Sequence, residues 1–299
     1  MSILRQVPTK AKMQRELRKV VFGRYLYCPR CGGRRIRKVE QRYRCAKCRK
    51  PFSLTSATWL KGMKISLDTF WLLLWCWSSK VPADQAQKLC CVSKPTQRRW
   101  YEQFREHIPA QPFEELRLSG IVQMDEAYRG GKKAGYAIVG AKEKQGKSAK
   151  RRKMAFSVIP RPAVNRGEAL SLISERVVPG SDLHTDGAAI YKTIEKWWRV
   201  NHQSEIHSKW EFELTSEIEG LWGTLTTFIR RVYHHVTKEQ VEGLLCEFQA
   251  RQMYPEWFSS PSNFLAVSLM RIPQKTTRKS QTKFSHPIPP YHPLTAVPY

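Results

Sequence analysis

Two closely spaced cysteine pairs constrain the fold of this chain more than any other sequence feature. Cys28 and Cys31 form one C-x2-C pair, thirteen residues follow, and Cys45 and Cys48 form a second pair. A structural zinc ion takes four thiolates at ~2.3 Å, and a two-residue spacer lets one tight turn present two sulfurs to the same metal. Two short strand-like stretches, residues 35–39 and 41–44, lie between the pairs. The sequence therefore predicts a zinc ribbon, with two disulfides as the alternative.

Basic residues are concentrated in the N-terminal part of the chain. The sequence holds 52 Lys and Arg against 25 Asp and Glu, a net charge of +27, and residues 1–50 hold 17 basic and 2 acidic side chains. A basic arm joined to a nearly balanced remainder indicates nucleic acid as a partner, although a solvated basic surface gives the same counts. The longest apolar run, residues 70–77, is far shorter than the ~20 residues of a membrane span. The sequence therefore predicts neither secretion nor association with a membrane.

The segment after the ribbon has the pattern of a helix-turn-helix. Its periodicity predicts helices over residues 66–78, 83–89 and 94–106, with a short turn before the third. Ser93 is a favoured N-cap for that third helix. A plain helical hairpin packed on the next domain would give a similar pattern. The residues expected to contact DNA from this helix are Lys94, Gln97, Arg98 and Arg99, and those expected from the ribbon are Arg34 and Arg35.

The nearly balanced middle of the chain predicts a mixed α/β domain. Three strand patterns, residues 120–126, 135–142 and 154–159, precede a helix over 166–177 and a strand over 182–185, followed by a further helix after Gly187. Asp125 and Asp186 fall at strand ends, where carboxylates can be held rigidly beside loops. Strand alternation implies that Asp125 need not point the same way as Glu126.

A third candidate carboxylate lies on the helix predicted for residues 215–232. Its apolar stripe, which includes Trp222, is expected to be buried, and Glu219 falls on the flank together with Gly223, Thr226 and Arg230. Three oxygen donors on separate elements suit Mg2+ or Mn2+. A pair of such ions could activate one oxygen and stabilise another in phosphodiester chemistry. The sequence thus predicts Asp125, Asp186 and Glu219 as a catalytic metal site.

Several motifs together resemble a known family. They are the ribbon cysteines, M-D-E-A-Y at 124–128, H-T-D-G at 184–187, I-E-G-L-W at 218–222 and Y-H-H-V-T at 233–237. From Tyr27 to Tyr254 the chain resembles the DDE transposases of the bacterial and archaeal insertion-sequence group that carries an N-terminal zinc ribbon and is related to the Merlin elements. The resemblance implies an RNase H-like middle domain with Asp125, Asp186 and Glu219 as its metal-binding triad. It also implies hydrolysis at transposon ends, attack of the freed 3′-hydroxyl on target DNA, and a homo-oligomer. The same resemblance implies a cytoplasmic, nucleoid-associated protein of a prokaryote.

Two positions depart from that family pattern. Members commonly carry Asn where this chain has Ser216 and Lys where it has Thr226. The Asn is sometimes counted as the third catalytic residue, so position 216 and Glu219 stay alternatives, although serine would be a poor ligand. Arg230, one turn beyond Thr226, could supply the missing cation to DNA. The departures leave a second function open, a transposase-derived and catalytically inactive DNA-binding protein, and the basic arm alone would permit an RNA-binding protein.

Five segments follow from these patterns. We expect a basic arm at 1–24, a zinc ribbon at 25–60, a helical DNA-binding module at 61–114, an RNase H-like catalytic domain at 115–272 and a disordered, basic, proline-rich tail at 273–299. Residues 142–153 are expected to form either a mobile, phosphate-clamping loop or a solvated hairpin tip. His202 and His207 are expected to be exposed loop residues.

Overall fold

A computed structural model describes residues 8–40, 42–130, 135–146, 151–205, 214–234 and 236–269. Its helices are α1 Lys10–Phe22, α2 Leu67–Ser78, α3 Ala83–Leu89, α4 Lys94–Glu106, α5 Gln111–Glu114, α6 Arg166–Arg176, α7 Ser216–Val232, α8 Lys238–Met253 and α9 Pro261–Ser268. Its strands are β1 Ile36–Val39, β2 Arg42–Cys45, β3 Pro51–Phe52, β4 Ile121–Arg129, β5 Tyr136–Glu143, β6 Met154–Ile159, β7 Asp182–Asp186 and β8 Asn201–Glu205.

The N-terminal segment begins with an amphipathic helix. The Thr9 hydroxyl caps α1 by accepting a hydrogen bond from the Lys12 amide. Met13 and Leu17 are buried on one face, which packs against α9 and α2. The segment predicted as a basic arm therefore contains a helix that is docked on the core, with its basic residues on the outer face.

The ribbon is a small antiparallel sheet with the order β1-β2-β3. The first two strands form a hairpin whose register pairs Val39 with Arg42 and Ile36 with Cys45. Both strands predicted between the cysteine pairs are confirmed, apart from Gln41, which lies outside the described residues. The third strand was not predicted. It adds Phe52, whose ring stacks on Tyr43 with centroids 5.6 Å apart.

The helices predicted for the next segment are confirmed. Ser66 and Ser93 cap α2 and α4 by accepting hydrogen bonds from the backbone amides of Thr69 and Thr96. α2 is apolar on nearly every side because it is packed between α1, α3, α4 and α9. α4 also contacts α8. This packing of the third helix on the following domain is the arrangement that the helical-hairpin alternative predicts.

The middle of the chain forms a five-stranded mixed sheet with the order β6-β5-β4-β7-β8. β4, β5 and β6 are antiparallel neighbours, whereas β7 and β8 are added in parallel to β4. A three-stranded meander extended by parallel strands, with helices on both faces, is the RNase H-like arrangement. The predicted fold class, a mixed α/β domain preceded by a ribbon and a helical module, is confirmed.

Strand alternation on β4 divides its side chains between two cores. Val122 and Met124 belong to the core that contains α6, whereas Ala127 packs with the buried residues of α7 and α8. Gln123 and Asp125 therefore face α7, as the pleat requires. α6 covers one face of the sheet, and α7 and α8 cover the other.

The segment after β7 differs from its prediction. Instead of a helix following Gly187, two short 3-10 turns, Ala189–Tyr191 and Ile194–Lys196, lead into β8. Thr193 has a left-handed backbone with φ of 61°, which interrupts any helix between the turns. β8 lacks apolar residues and so gave no strand signal, because it lies at the edge of the sheet. The predicted tail at 273–299 lies outside the described residues. Among those residues, no helix is both long and apolar enough to cross a membrane.

Candidate active site and zinc centre

The register of two parallel strands brings Asp125 and Asp186 to the same level. The last residue pair of the β4–β7 ladder is Gln123 with His184. Asp125 and Asp186 each lie two residues further along their own strands. The carboxyl ends of parallel strands open a crevice where neighbouring connections run in different directions, and such crevices commonly hold ligands. β4 lies at this point, with an antiparallel neighbour on one side and a parallel neighbour on the other.

Three carboxylates meet in this crevice. Oxygen atoms of Asp125, Glu126 and Asp186 all lie within 4.8 Å of one another. Burial raises the pKa of Asp125, and the nearby charges of Asp186 and Glu219 raise it further. Burial raises the pKa of Glu126 to about 7. A half-buried cluster of like charges is stabilised by a divalent cation, and its hard oxygen atoms suit such a metal.

Trp222 on α7 holds Asp125 in place. Its indole Nε1–H donates a hydrogen bond to Asp125 Oδ2 at 2.8 Å. The indole fits because the residue opposite Asp125 on β5 is Gly140. A Cβ at Gly140 would lie 2.6 Å from Trp222 Cη2. The sequence analysis placed Trp222 only in the buried stripe, since periodicity cannot show that an indole nitrogen reaches a carboxylate.

Backbone amides fix the neighbouring elements. The Ala188 amide donates to Asp186 Oδ1 at 3.1 Å, which orients that carboxylate at the end of β7. The Ile218 amide donates to Gln123 Oε1 at 3.0 Å, which ties the first turn of α7 to β4. Gln123 is fully buried and lies two residues before Asp125 on the same face. Polar contacts between the sheet and α7 therefore fix the positions of the site residues.

Glu219 lies on the first turn of α7, close to this cluster. Its Oε1 accepts a hydrogen bond from the Thr215 hydroxyl at 3.3 Å, and its charge acts on Asp125. Among the described residues, however, the 4.8 Å cluster contains Glu126 and not Glu219. Ser216 begins α7 and is exposed. The structure therefore brings Asp125 and Asp186 together, and the role of Glu219 as the third ligand stays a prediction.

Glu126 is the site residue that the sequence analysis missed. Alternation separates the side-chain directions of residues 125 and 126, yet their carboxylate oxygens meet. Both residues lie in the middle of β4, so the prediction that Asp125 ends its strand is wrong: they pair with Gly140 and Val139 of β5. They lie beyond the last β4–β7 pair, which leaves the β7 side of the strand open there. A second carboxylate directly after the candidate aspartate was the sequence signal available.

Residues 117–252 match the ISXO2-like transposase domain. This part of the chain is therefore similar to the transposase domain of that family. The match confirms the predicted enzyme class, a DDE-type transposase. No curated protein matches the chain significantly.

Solved structures align with this chain at low sequence identity and low TM-score. A simian T-cell lymphotropic virus intasome in complex with PP2A regulatory subunit B56 gamma is 10% identical, with 72% of this chain and 80% of that chain covered and a TM-score of 0.33. The dimeric form of the HTLV-2 integrase catalytic core domain in complex with magnesium is 11% identical, covering 46% and 87% at a TM-score of 0.29. The trimeric form of the same integrase domain is 13% identical, with 46% of this chain and 86% of that chain covered and a TM-score of 0.28.

A cationic side chain that the sequence analysis did not find lies beside Thr226. The Thr226 hydroxyl donates to the Trp222 carbonyl and accepts a hydrogen bond from Arg129 at the end of β4. Arg129 therefore places a guanidinium beside the residue that replaces the family's lysine. Arg230, the predicted substitute, is exposed one turn further along α7.

The four ribbon cysteines form a cluster that fits zinc. Their sulfurs all lie within 4.8 Å of one another, with 3.6 Å between Cys28 and Cys48 and between Cys31 and Cys45. Sulfurs on one tetrahedral zinc at ~2.3 Å are about 3.8 Å apart, whereas a disulfide needs about 2.0 Å, so the disulfide alternative does not fit. The backbone amide of Cys48 lowers the pKa of the Cys45 thiol to about 7, which favours the thiolate.

A glycine lies directly against the cysteine sulfurs. A Cβ at Gly33 would lie 3.2 Å from Cys45 Sγ and 3.4 Å from Cys31 Sγ. A larger residue there would crowd the sulfurs that face the metal. The geometry thus supports a metal in the ribbon, as the cysteine spacing predicts.

The predicted DNA-binding side chains separate into two groups. Lys94, Arg98 and Arg99 on α4, with Arg34 and Arg35 in the ribbon, are exposed. Gln97, in contrast, is only 2% exposed, so its prediction as a DNA-contacting residue is corrected. Its position on the inner face of α4 follows from helical periodicity, because Tyr101, one turn further along, is also buried.

Two secondary expectations are also corrected. His202 is not an exposed loop residue, because it lies on β8 and its Nε2 makes a 2.9 Å hydrogen bond with the Thr185 hydroxyl. Lys142 and Lys153, at the ends of the predicted clamp, pair with Glu217 and Glu143 and so belong to the folded hairpin. Residues 147–150 and His207 lie outside the described residues.

Proposed function

We propose that this chain is the DNA transposase of an insertion sequence. It binds the inverted-repeat ends of its element and catalyses metal-dependent strand cleavage and strand transfer. One observation carries the proposal: within a transposase domain, Asp125 and Asp186 lie at matched positions just beyond the β4–β7 ladder, with their carboxylates in one cluster.

Asp125, Asp186 and Glu219 are proposed to hold Mg2+ or Mn2+. Such cations supply Lewis acidity to the attacking and leaving oxygens of a phosphodiester. The protein's part is to hold the ligands: Trp222 orients Asp125 through one oxygen, and the Ala188 amide orients Asp186. Glu219 is presented by the first turn of α7, which Gln123 ties to the sheet.

Double-stranded DNA, both transposon ends and target, is the proposed partner. Exposed cations on α4 and the ribbon would neutralise phosphates, and Arg129 and Arg230 would do so beside the catalytic crevice. The ribbon is proposed to hold a structural Zn2+. Two ends must be held together for transposition, so a homo-oligomer is proposed, acting on the nucleoid in a prokaryotic cytoplasm.

The test is cleavage and strand transfer by the purified protein on duplexes that carry the element's inverted repeats. With Mg2+, the wild type should release 3′-hydroxyl ends and join them to target DNA. Asp125→Asn and Asp186→Asn should reduce both steps to background, and Asp68→Asn, a change at an exposed position of α2, should not. Unchanged cleavage in the Asp125 and Asp186 variants would remove these residues from the mechanism.

A second candidate function is DNA binding without catalysis. Ser216, Thr226 and the position of Glu219 outside the tight carboxylate cluster favour it. In that case the wild type binds a defined DNA end but never nicks it with Mg2+ or Mn2+. Competition between duplex DNA and RNA for the same protein tests the RNA-binding alternative.

A further inference from the structure

Two buried polar atoms beside the acidic cluster lack hydrogen-bond partners. They are Glu126 Oε1 and the Tyr191 hydroxyl: in the described parts of the chain neither has a partner at good hydrogen-bond geometry, although the two groups lie close enough to interact with each other. Buried polar atoms in native proteins are almost always satisfied, and an exception usually marks a place for a water or an ion. Two such atoms next to three carboxylates therefore point to a bound group.

Tyr191 faces the cluster from the turn that follows β7. Its side chain is fully buried, and it lies five residues after Asp186 on the first 3-10 turn. Burial, together with the charges of Glu126, Asp125 and Asp186, raises its pKa well above the ordinary value, so it stays a neutral donor. A fully buried phenol among carboxylates can donate one hydrogen bond without competing as a charge.

Glu126 is better placed than Glu219 to share a cation with the two aspartates. Its oxygens lie within 4.8 Å of both Asp125 and Asp186, and its side chain is largely buried. Trp222 occupies one Asp125 oxygen and the Ala188 amide occupies one Asp186 oxygen. A carboxylate oxygen that accepts one hydrogen bond keeps a lone pair for a metal, so these contacts leave all three carboxylates able to bind a cation.

We infer that Glu126 is a direct ligand of a divalent cation held jointly with Asp125 and Asp186, and that Tyr191 is a positioning residue that orients Glu126 through its hydroxyl. The inference rests on the proposed function, because it assigns further residues to the same site. It adds a fourth carboxylate to the Asp125, Asp186 and Glu219 set.

The test is Mn2+ binding to the full-length, zinc-loaded protein without DNA, followed by electron paramagnetic resonance of free Mn2+. Glu126→Gln removes the charge and one oxygen ligand but keeps the shape, and Tyr191→Phe removes only the hydroxyl. Both should weaken Mn2+ binding about tenfold or more, the range found when metal-supporting residues are changed. Glu175→Gln, a matched change on the exposed face of α6, should bind like the wild type.

Melting without Mn2+ separates positioning from a merely structural role. Without a metal the Tyr191 hydroxyl makes no well-formed hydrogen bond within the described structure, so Tyr191→Phe should leave the melting temperature of the metal-free protein unchanged or raise it. It should also reduce the rise in melting temperature that Mn2+ gives the wild type. If Glu126→Gln fails to fold, Tyr191→Phe still tests the site, since it keeps every carboxylate.

Three results would overturn the inference: wild-type Mn2+ affinity in both variants, no Mn2+ binding by the wild type, or a lower metal-free melting temperature for Tyr191→Phe with unchanged Mn2+ affinity. Failure of the proposed function can be distinguished from failure of this inference. A wild type that binds Mn2+ through Glu126 but cleaves no DNA would retain the ligand assignment and reject the transposase reaction.

Discussion

The indole of Trp222 donates a hydrogen bond to Asp125 at 2.8 Å and thereby joins α7 to the middle of β4. One turn earlier on the same helix, the Ile218 amide donates to Gln123, two residues before Asp125 on the same strand face. These contacts set the position of the helix that carries Glu219 relative to the strand that carries Asp125. The geometry of the site therefore depends on uncharged residues that contact no metal.

Trp222→Phe should reduce DNA cleavage while the protein stays folded. The change removes the donor to Asp125 but keeps an aromatic ring in the core. A hydrogen bond to a charged group contributes about 1.5–3 kcal/mol, so a loss of about tenfold or more in the Mg2+-dependent cleavage rate is expected. Trp197→Phe, at an exposed position, serves as the control. Equal cleavage rates for Trp222→Phe and the control would show that the contact does not orient Asp125.

Gly140→Ala should both destabilise the protein and impair cleavage. The new Cβ would meet the Trp222 ring at 2.6 Å and force the indole away from Asp125. Overpacking of this kind costs about 1–3 kcal/mol, measurable by urea unfolding. The matched change Gly146→Ala has no atom within 4 Å of the added Cβ and should be nearly neutral. A Gly140→Ala protein as stable and active as the wild type would contradict the packing described here.

The sequence allowed the elements of this molecule to be predicted better than its contacts. The ribbon, the capped helices after Ser66 and Ser93, and the strands carrying Asp125 and Asp186 all leave local signals in spacing or periodicity. β8 leaves none, because a polar edge strand has no apolar alternation. Glu126 was missed and Gln97 was misplaced for a related reason: whether a side chain faces a partner element depends on packing that one strand or helix does not encode.

Removal of the ribbon metal should unfold the N-terminal sheet. We expect one zinc per chain by elemental analysis, and a chelator or Cys31→Ser should abolish it and lower the melting temperature, because metal binding contributes directly to the stability of small ribbons. Cys91→Ser, which changes an exposed cysteine away from the ribbon, should retain the zinc. Full zinc content in Cys31→Ser would refute a four-thiolate site.

A buried ion pair should hold the helical module on the transposase domain. Glu247 is fully buried and accepts a hydrogen bond from Arg251 at 2.8 Å, and Arg251 also donates to the backbone carbonyls of Trp77 and Ser78 at the end of α2. Glu247→Gln leaves Arg251 without its counter-charge. The expected loss is about 3–5 kcal/mol in the free energy of unfolding, against little change for the exposed Glu242→Gln on the same helix.

Arg98→Ala and Arg99→Ala should weaken DNA binding and flatten its salt dependence. Each lost phosphate contact lowers the slope of log affinity against log salt by about 0.9. Fluorescence anisotropy over a salt series measures both quantities. Gln97→Ala changes a buried neighbour, so it should affect stability more than the salt slope. If all three variants keep the wild-type slope, α4 does not contact DNA.

Metal-switch rescue tests most directly whether the Asp125 side chain binds the catalytic cation. A thiolate favours softer metals than Mg2+, so Asp125→Cys should cleave end DNA poorly with Mg2+ and regain cleavage with Mn2+, whereas the wild type works with both. That pattern would place the Asp125 side chain on the catalytic cation. An Asp125→Cys enzyme as active with Mg2+ as the wild type would contradict the account.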